Sequence, residues 1–226
     1  MKYKNILFDF GDTLVYLQPS KEDVFLKVLS ENGIKIDKEE IKKAFLHNDY
    51  IKQSAITLKN EEGKRNFLIN YNKKILSSLN INDNLDSLAI KINNEFKKTH
   101  WKLFSDTIPV LEKLKKMRFR LALLSNWESK LHEVCKKLGI YDYFELVLAS
   151  TDVGIEKPNR EFFEIILSKL DMVSKETIYI GNDYELDVIS SRNVGIKPIL
   201  IDRDNIYEDK DCDRIKTLDN IFPMLK

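Results

Sequence analysis

The sequence predicts an α/β protein: a doubly wound parallel sheet carrying an all-helical insertion. Three observations predict it. Short, mostly apolar runs recur at wide intervals, in "NILFDF" (5–10), "RLALLS" (120–125), "FELVLA" (144–149), "TIYIG" (177–181) and "KPILI" (197–201). Runs of that kind suit parallel strands covered on both faces. Amphipathic helical patterns separate several of them. Between the first run and the second, residues 17–100 hold no convincing strand and several helical segments. Alternating strands and helices imply right-handed crossovers and a Rossmann-like layering.

The elements follow in order. Ser20 is placed to cap a first helix, with Asp23 in its first turn and Gly33 as its stop. Asp37 and Glu40 have the spacing of a capping box for the next helix. Helical segments near 61–79 and 84–99 complete the insertion. Asn48, Tyr50 and Lys52 are its candidate substrate contacts. Downstream, 128–138 places Leu131, Val134, Cys135 and Leu138 on one stripe, with Gly139 as the stop. Residues 160–170 gather Phe162, Phe163, Ile166, Leu167 and Leu170, with Pro158 just ahead, where a missing N–H costs little. The expected domains are a core of 1–16 with 101–226, and a helical cap of 17–100.

Composition narrows the function. Lys and Arg number 37 against 36 Asp and Glu among 226 residues, which argues against a dedicated nucleic-acid binder. The start, "MKYKNILFDFGD", has too short an apolar run for a signal peptide, and no stretch approaches the ~20 apolar residues of a membrane span. The expectation is a cytoplasmic protein without membrane partners. Cys135 and Cys212 lie far apart, as free thiols would. Trp101 and Trp127 read as packing residues, and His47, His100 and His132 form no ligand spacing. Nothing in the sequence speaks to oligomeric state.

In an open parallel sheet, ligands bind beyond the C-terminal strand ends, so the polar residues there carry the chemistry. Asp9 follows the first run, Ser125 and Asn126 the second, Lys157 lies in the loop after the third, and Asn182 and Asp183 follow the fourth, with Asp187 four residues after Asp183. A carboxylate attacking phosphorus forms an acyl phosphate and divides one hard displacement into two. Both reactants are anionic, so a divalent cation is expected. Mg²⁺ takes one or two carboxylates plus phosphate oxygens and water. Asp9 with Asp183 or Asp187 would supply the carboxylates. Lys157 would neutralise further charge, and the Ser125 hydroxyl and the N–H groups after Asp9 would hold the phosphate.

The motifs "FDFGDTL", "LLSN", "GIEKP" and "IGNDYELD", in this order, resemble those of the haloacid dehalogenase-like hydrolase superfamily, in its phosphatase-like branch with a helical cap after the first motif. The resemblance spans essentially the whole chain. It implies a phosphatase of small phosphorylated metabolites, with Asp9 as nucleophile, Thr13 supporting the first loop, Ser125 and Asn126 at the phosphate, and Lys157 screening charge. Asp9, the Gly11 carbonyl, Asp183 and Asp187 would hold Mg²⁺.

Two departures stand out. Members usually carry Asp-x-Asp-x-Thr, whose second acid protonates the leaving group and later activates water. Thr13 keeps its offset of four from Asp9, so Gly11 is a substitution and not a shift. Its carbonyl can still meet a metal; it cannot act as an acid. That help is typically worth ~10²–10⁴-fold. Asp12, one place on, is the candidate replacement. In the last motif, Asn182 stands where an Asp often follows the Gly. Asp183 is favoured as the ligand because a charged carboxylate suits a hard cation.

Two rival functions remain. The 2-haloacid dehalogenase branch also lacks the second acid and carries "SN", but has a Tyr six residues after its Lys, where this chain has Phe163, and needs no metal. A non-catalytic or very slow binding protein would bind phosphate analogues without turnover.

Overall fold

A computed structural model describes residues 2–52 and 60–225. The chain falls into two compact units, one of residues 1–16 and 102–226, the other of 17–101.

The first unit is built on a six-stranded parallel sheet. Its strands are β1 (Asn5–Phe8), β4 (Arg120–Ser125), β5 (Leu146–Ala149), β6 (Thr177–Gly181), β7 (Lys197–Ile201) and β8 (Asp213–Ile215). They lie in the order β5-β4-β1-β6-β7-β8. Phe8 is level with Leu123 on one side and Ile180 on the other. The chain builds outward from β1 through β4 and β5, then crosses back to start β6. The C-terminal ends beside β1 are therefore the switch point where such sheets bind ligands.

Alternation along each strand sorts the faces. Leu7, Ala122, Leu124, Leu148 and Tyr179 share one face and pack against Phe162, Phe163 and Ile166 of α8 (Arg160–Lys169). Asn159 caps α8 by accepting from Glu161 N–H at 3.0 Å, directly after Pro158. Phe163 meets Tyr179 edge-on, centroids 5.0 Å apart, and is fully buried, which contributes about 1.5–3 kcal/mol. The 128–138 stripe forms α6 (Leu131–Lys137), which buries Leu131 and Cys135, and Gly139 ends it at φ +72°.

The second unit is helical. Its helices are α1 (Lys21–Glu31), α2 (Lys38–Lys52), α3 (Glu61–Ser78) and α4 (Leu85–Phe96). Ser20 caps α1 as expected: its Oγ accepts from Asp23 N–H at 3.2 Å, and Gly33 sits at φ +77° beyond the end. Phe25, Phe45, Tyr71, Ile75, Leu88 and Ile92 form its core, with Phe25 and Phe45 edge-to-face at 5.1 Å. Asn48 donates to the Ala44 carbonyl at 2.8 Å and to Ser78 Oγ at 2.9 Å. The side chains of Tyr50 and Lys52 lie outside the described residues.

Three strands escape the sequence reading: β8, and the pair β2 (Val15–Gln18) and β3 (His100–Leu103) where the chain passes between the units. None exceeds four residues, and most of their positions are partly exposed, so they lack the apolar run that marks the central strands. The two cysteines are free. No helix among the described residues is long and apolar enough to cross a membrane.

Candidate functional site

β1 is buried at every position and delivers Asp9 to the switch point, where its N–H bonds the Ile180 carbonyl at 2.8 Å. The loop that follows is tight. Leu14 and Val15 N–H both reach the Phe10 carbonyl, at 2.9 and 3.2 Å, and Asp12 N–H reaches the Val15 carbonyl at 2.7 Å. Arg203 anchors the loop from outside. Its Nη2 donates to the Thr13 carbonyl at 2.9 Å, and its guanidinium forks onto both oxygens of Asp106 at 2.9 and 3.0 Å while lying over the Phe104 ring.

Lys157 is the centre of the site. It is 3% exposed, and its ammonium donates to Asp9 Oδ1 at 2.7 Å, Asp187 Oδ1 at 2.6 Å and the Tyr179 hydroxyl at 2.9 Å. Those are all three of its donors. Asp9 Oδ1 also accepts from Ser125 Oγ at 2.9 Å. Among the described residues, no hydrogen bond reaches Asp9 Oδ2.

The electrostatics follow from burial. Desolvation pushes the Asp9 carboxyl up to about 6, with Asp187 adding to the rise and Lys157 opposing it. Burial would lower the Lys157 ammonium, but the Asp187 and Asp9 carboxylates outweigh it and hold it above its usual value. The Asp183 carboxyl is raised by burial and by Asp187.

Asp187 is held by a turn of π-helix, Tyr184–Ile189, of the kind that often marks functional sites. Its Oδ2 accepts from Asp183 N–H at 2.9 Å. Gly181 makes room for this: a Cβ there would lie 2.2 Å from Asp187 Oδ2. Tyr179 completes the set, donating to the Leu124 carbonyl at 3.0 Å while accepting from Lys157.

The structure thus brings Asp9, Ser125, Lys157 and Asp187 into one hydrogen-bonded group. Three other expected residues are turned to other uses. Asn126 clasps the Lys157 backbone with both ends of its amide, Oδ1 accepting from N–H at 2.7 Å and Nδ2 donating to the carbonyl at 2.9 Å. Its side chain therefore positions the lysine loop instead of facing a phosphate. Asp183 Oδ1 caps the π-turn by accepting from Leu186 N–H at 2.8 Å. Asp12 is exposed and sits at φ +56°, a left-handed conformation that Asp and Asn tolerate better than most residues. The backbone alone accounts for an acid there. Thr13 is buried, with Oγ1 donating to Asn182 Oδ1 at 3.3 Å, so of the Asn182–Asp183 pair it is Asn182 that faces the first loop. Two residues were missed from sequence. Tyr179 had a signal, a hydroxyl in the middle of an apolar strand; Arg203 had none.

Whether Mg²⁺ fits can be judged from charge and donors. One ammonium stands among three carboxylates, Asp9, Asp183 and Asp187, an excess of negative charge that a cation would offset. Among the described residues, no cluster of three or more His, Cys, Asp or Glu side chains forms a metal cage. Mg²⁺ does not need one, because it completes its shell with water and phosphate oxygens. Asp9 Oδ2, the Gly11 carbonyl and the Asn182–Asp183 pair fit that sparse donor set.

A family model for haloacid dehalogenase-like hydrolase matches residues 6–201. The chain belongs to this family. Haloacid dehalogenase-like hydrolase domain-containing protein 3 of Xenopus laevis is 28% identical over 127 residues, 56% of this chain and 52% of the relative, so the match takes in about half of that relative's length. Glyceraldehyde 3-phosphate phosphatase of Methanocaldococcus jannaschii is 25% identical over 237 residues, covering 99% of this chain and 98% of the relative. In fold, the chain is similar to the magnesium-bound HAD-hydrolase YfnB from Bacillus subtilis, with a TM-score of 0.72 at 19% identity over 100% of both chains.

Proposed function

We propose that this hydrolase is a Mg²⁺-dependent phosphatase of a small phosphorylated metabolite, working through a phosphoryl group carried on Asp9. The observation that carries the reading is the asymmetry of Asp9: Ser125 and Lys157 hold Oδ1, and among the described residues no hydrogen bond reaches Oδ2. Fixing one oxygen orients the other for in-line attack, which removes much of the entropic cost of the encounter.

Asp9 Oδ2 attacks phosphorus, the bond from phosphorus to the leaving oxygen breaks, and the leaving group departs with the bonding pair. Water then attacks the same phosphorus, the bond to Asp9 breaks, and carboxylate and inorganic phosphate are regenerated. Lys157 and Ser125 offset the charge that gathers on the phosphoryl oxygens, and Asn126 keeps Lys157 in place through its backbone. Mg²⁺, held by Asp9, the Gly11 carbonyl and Asn182 or Asp183, would supply Lewis-acid charge neutralisation between nucleophile and phosphate. The phosphatase names among the relatives support the substrate class.

The test is hydrolysis of an aryl phosphate with Mg²⁺ by the wild-type chain and by Asp9→Asn. The reading expects turnover by the first and none by the second. The dehalogenase reading keeps two features in its favour, the missing side chain at Gly11 and the Ser125–Asn126 pair. Against it, Phe163 has no hydroxyl and packs into the core, and two carboxylates, Asp9 and Asp187, bind Lys157. Metal-free halide release from a 2-chloroacid would select it.

A further inference from the structure

We infer that Arg203 is a positioning residue for phosphoryl transfer: through two peptide units it orients and polarises the Gly11 N–H, which holds a phosphoryl oxygen. The inference rests on the phosphatase reading and adds to it a residue outside every motif.

The relay can be followed peptide by peptide. Arg203 Nη2 donates to the Thr13 carbonyl at 2.9 Å. A trans peptide is planar, and its N–H and C=O point opposite ways. The same unit therefore carries the Leu14 N–H away from Arg203 and onto the Phe10 carbonyl, at 2.9 Å. The Phe10 carbonyl shares its plane with the Gly11 N–H, which is thereby turned out of the loop. Among the described residues, the Gly11 N–H makes no hydrogen bond. It stands two residues after Asp9, and outward N–H groups of such a turn form an anion-binding concavity. A guanidinium drawing electrons from one carbonyl makes the next N–H a stronger donor, and such chains strengthen by ~10–30% per bond.

The start of the relay is rigid. Arg203 forks onto both oxygens of Asp106, at 2.9 and 3.0 Å, and lies 3.7 Å over the Phe104 ring. Its side chain is 16% exposed and that of Asp106 8%. Asp106 Oδ2 also accepts from Leu218 N–H at 2.9 Å. The neighbouring unit has its own anchor. The Leu14 carbonyl accepts from Thr107 Oγ1 at 2.7 Å and Phe104 N–H at 3.1 Å, while the Val15 N–H of that unit reaches the Phe10 carbonyl at 3.2 Å. Both donors to the Phe10 carbonyl thus come from peptides whose own carbonyls are held, and of the two it is the Arg203 branch that carries charge.

Arg120 supplies the comparison. It grips Glu145 through Nε at 3.1 Å and Nη2 at 2.7 Å, and donates to the Leu170 carbonyl at 2.8 Å. That is the same pattern of carboxylate and backbone carbonyl, placed at the N-terminal end of β4, the end opposite Ser125. Among the described residues, its side chain bonds none of the site residues.

The experiment compares wild type, Arg203→Met, Arg203→Lys and Arg120→Met, each well below its own Tm. With an aryl phosphate and Mg²⁺, Arg203→Met is expected to lower kcat about tenfold, less than the ~10²–10³-fold of losing an oxyanion donor outright, with KM within about twofold. Arg203→Lys keeps the charge but not the fork, so its kcat should fall between the two. Arg120→Met, removed from the site, should stay within about twofold of wild type in kcat. Labelling the seven glycines with ¹⁵N gives a direct readout, the signal lost in Gly11→Ala being that of Gly11. Adding orthovanadate and Mg²⁺ should move the Gly11 amide proton downfield in wild type and less so in Arg203→Met. If Arg203→Met does not fold, Arg203→Lys decides by the same criteria. A kcat in the Arg203 variants no lower than in Arg120→Met, or a Gly11 shift equal to that of wild type, overturns the inference and leaves the phosphatase reading intact. No turnover by the wild-type chain overturns both.

Discussion

Substituting Gly181 by Ala tests the architecture behind Lys157. The new Cβ would fall 2.2 Å from Asp187 Oδ2, 2.3 Å from Cγ and 2.6 Å from its Cβ, so the whole carboxylate arm must move, not merely its tip. Moving it forfeits the Lys157 ion pair at 2.6 Å and the bond from Asp183 N–H at 2.9 Å. Breaking a buried pair costs about 3–5 kcal/mol. At roughly 2–4 °C per kcal/mol for a chain of this size, Tm should fall by roughly 6–20 °C. The control is Asp187→Gly, which removes the whole obstacle, its Cβ included. In that background Gly181→Ala should cost little, because Gly181 does not sit at positive φ and Gly→Ala at a compatible site is neutral or slightly stabilising, by up to about 1 kcal/mol. Thermal unfolding of the four proteins of the cycle gives the coupling energy, expected above about 2 kcal/mol. Additivity within about 0.5 kcal/mol would refute the claim that Gly181 exists to seat Asp187.

Three further outcomes can be checked. Tyr179→Phe keeps the ring against Phe163 and removes only the hydroxyl, taking one donor from the Leu124 carbonyl and leaving Lys157 with two partners; stability should fall by about 1–3 kcal/mol, and kcat roughly tenfold with KM little changed. Because burial raises the folded-state pKa of Asp9 from 3.8 to about 6, its stabilising contribution is complete below pH ~4 and is lost as pH rises through 6; in metal-free protein, Asp9→Asn should therefore raise Tm at pH 8 and do so less, or not at all, at pH 4. Burial pushes the Cys135 thiol up to about 12, so iodoacetamide at pH 8 should label the half-exposed Cys212 first, and peptide mass spectrometry showing the reverse order would contradict the packing around α6.

The strands most legible in sequence were those buried on both faces. β4, β6 and β7 match their apolar runs residue for residue, because a central parallel strand has no solvent-facing side to interrupt the run. β2, β3 and β8 were not legible, since three or four half-exposed residues carry no periodic signal. The site followed the same division. That Asp9, Ser125 and Lys157 would converge follows from their places at neighbouring strand ends, which topology alone brings together. Where a side chain turns is set by local backbone and by partners distant in sequence. Asp12 belongs to a left-handed turn, Asp183 to a cap and Asn126 to the Lys157 backbone, and none of those uses is encoded in spacing. Arg203 reaches Thr13 across 190 positions, beyond any motif.

The central claim is that Asp9 carries the phosphoryl group, and it can be read directly. The enzyme is mixed with Mg²⁺ and acetyl phosphate, quenched in acid within the first turnover, digested and mapped by mass spectrometry. One phosphoryl group is expected on the peptide containing Asp9, and none on that peptide from Asp9→Asn, which should also release no phosphate. Phosphate release by Asp9→Asn at the wild-type rate would contradict the account.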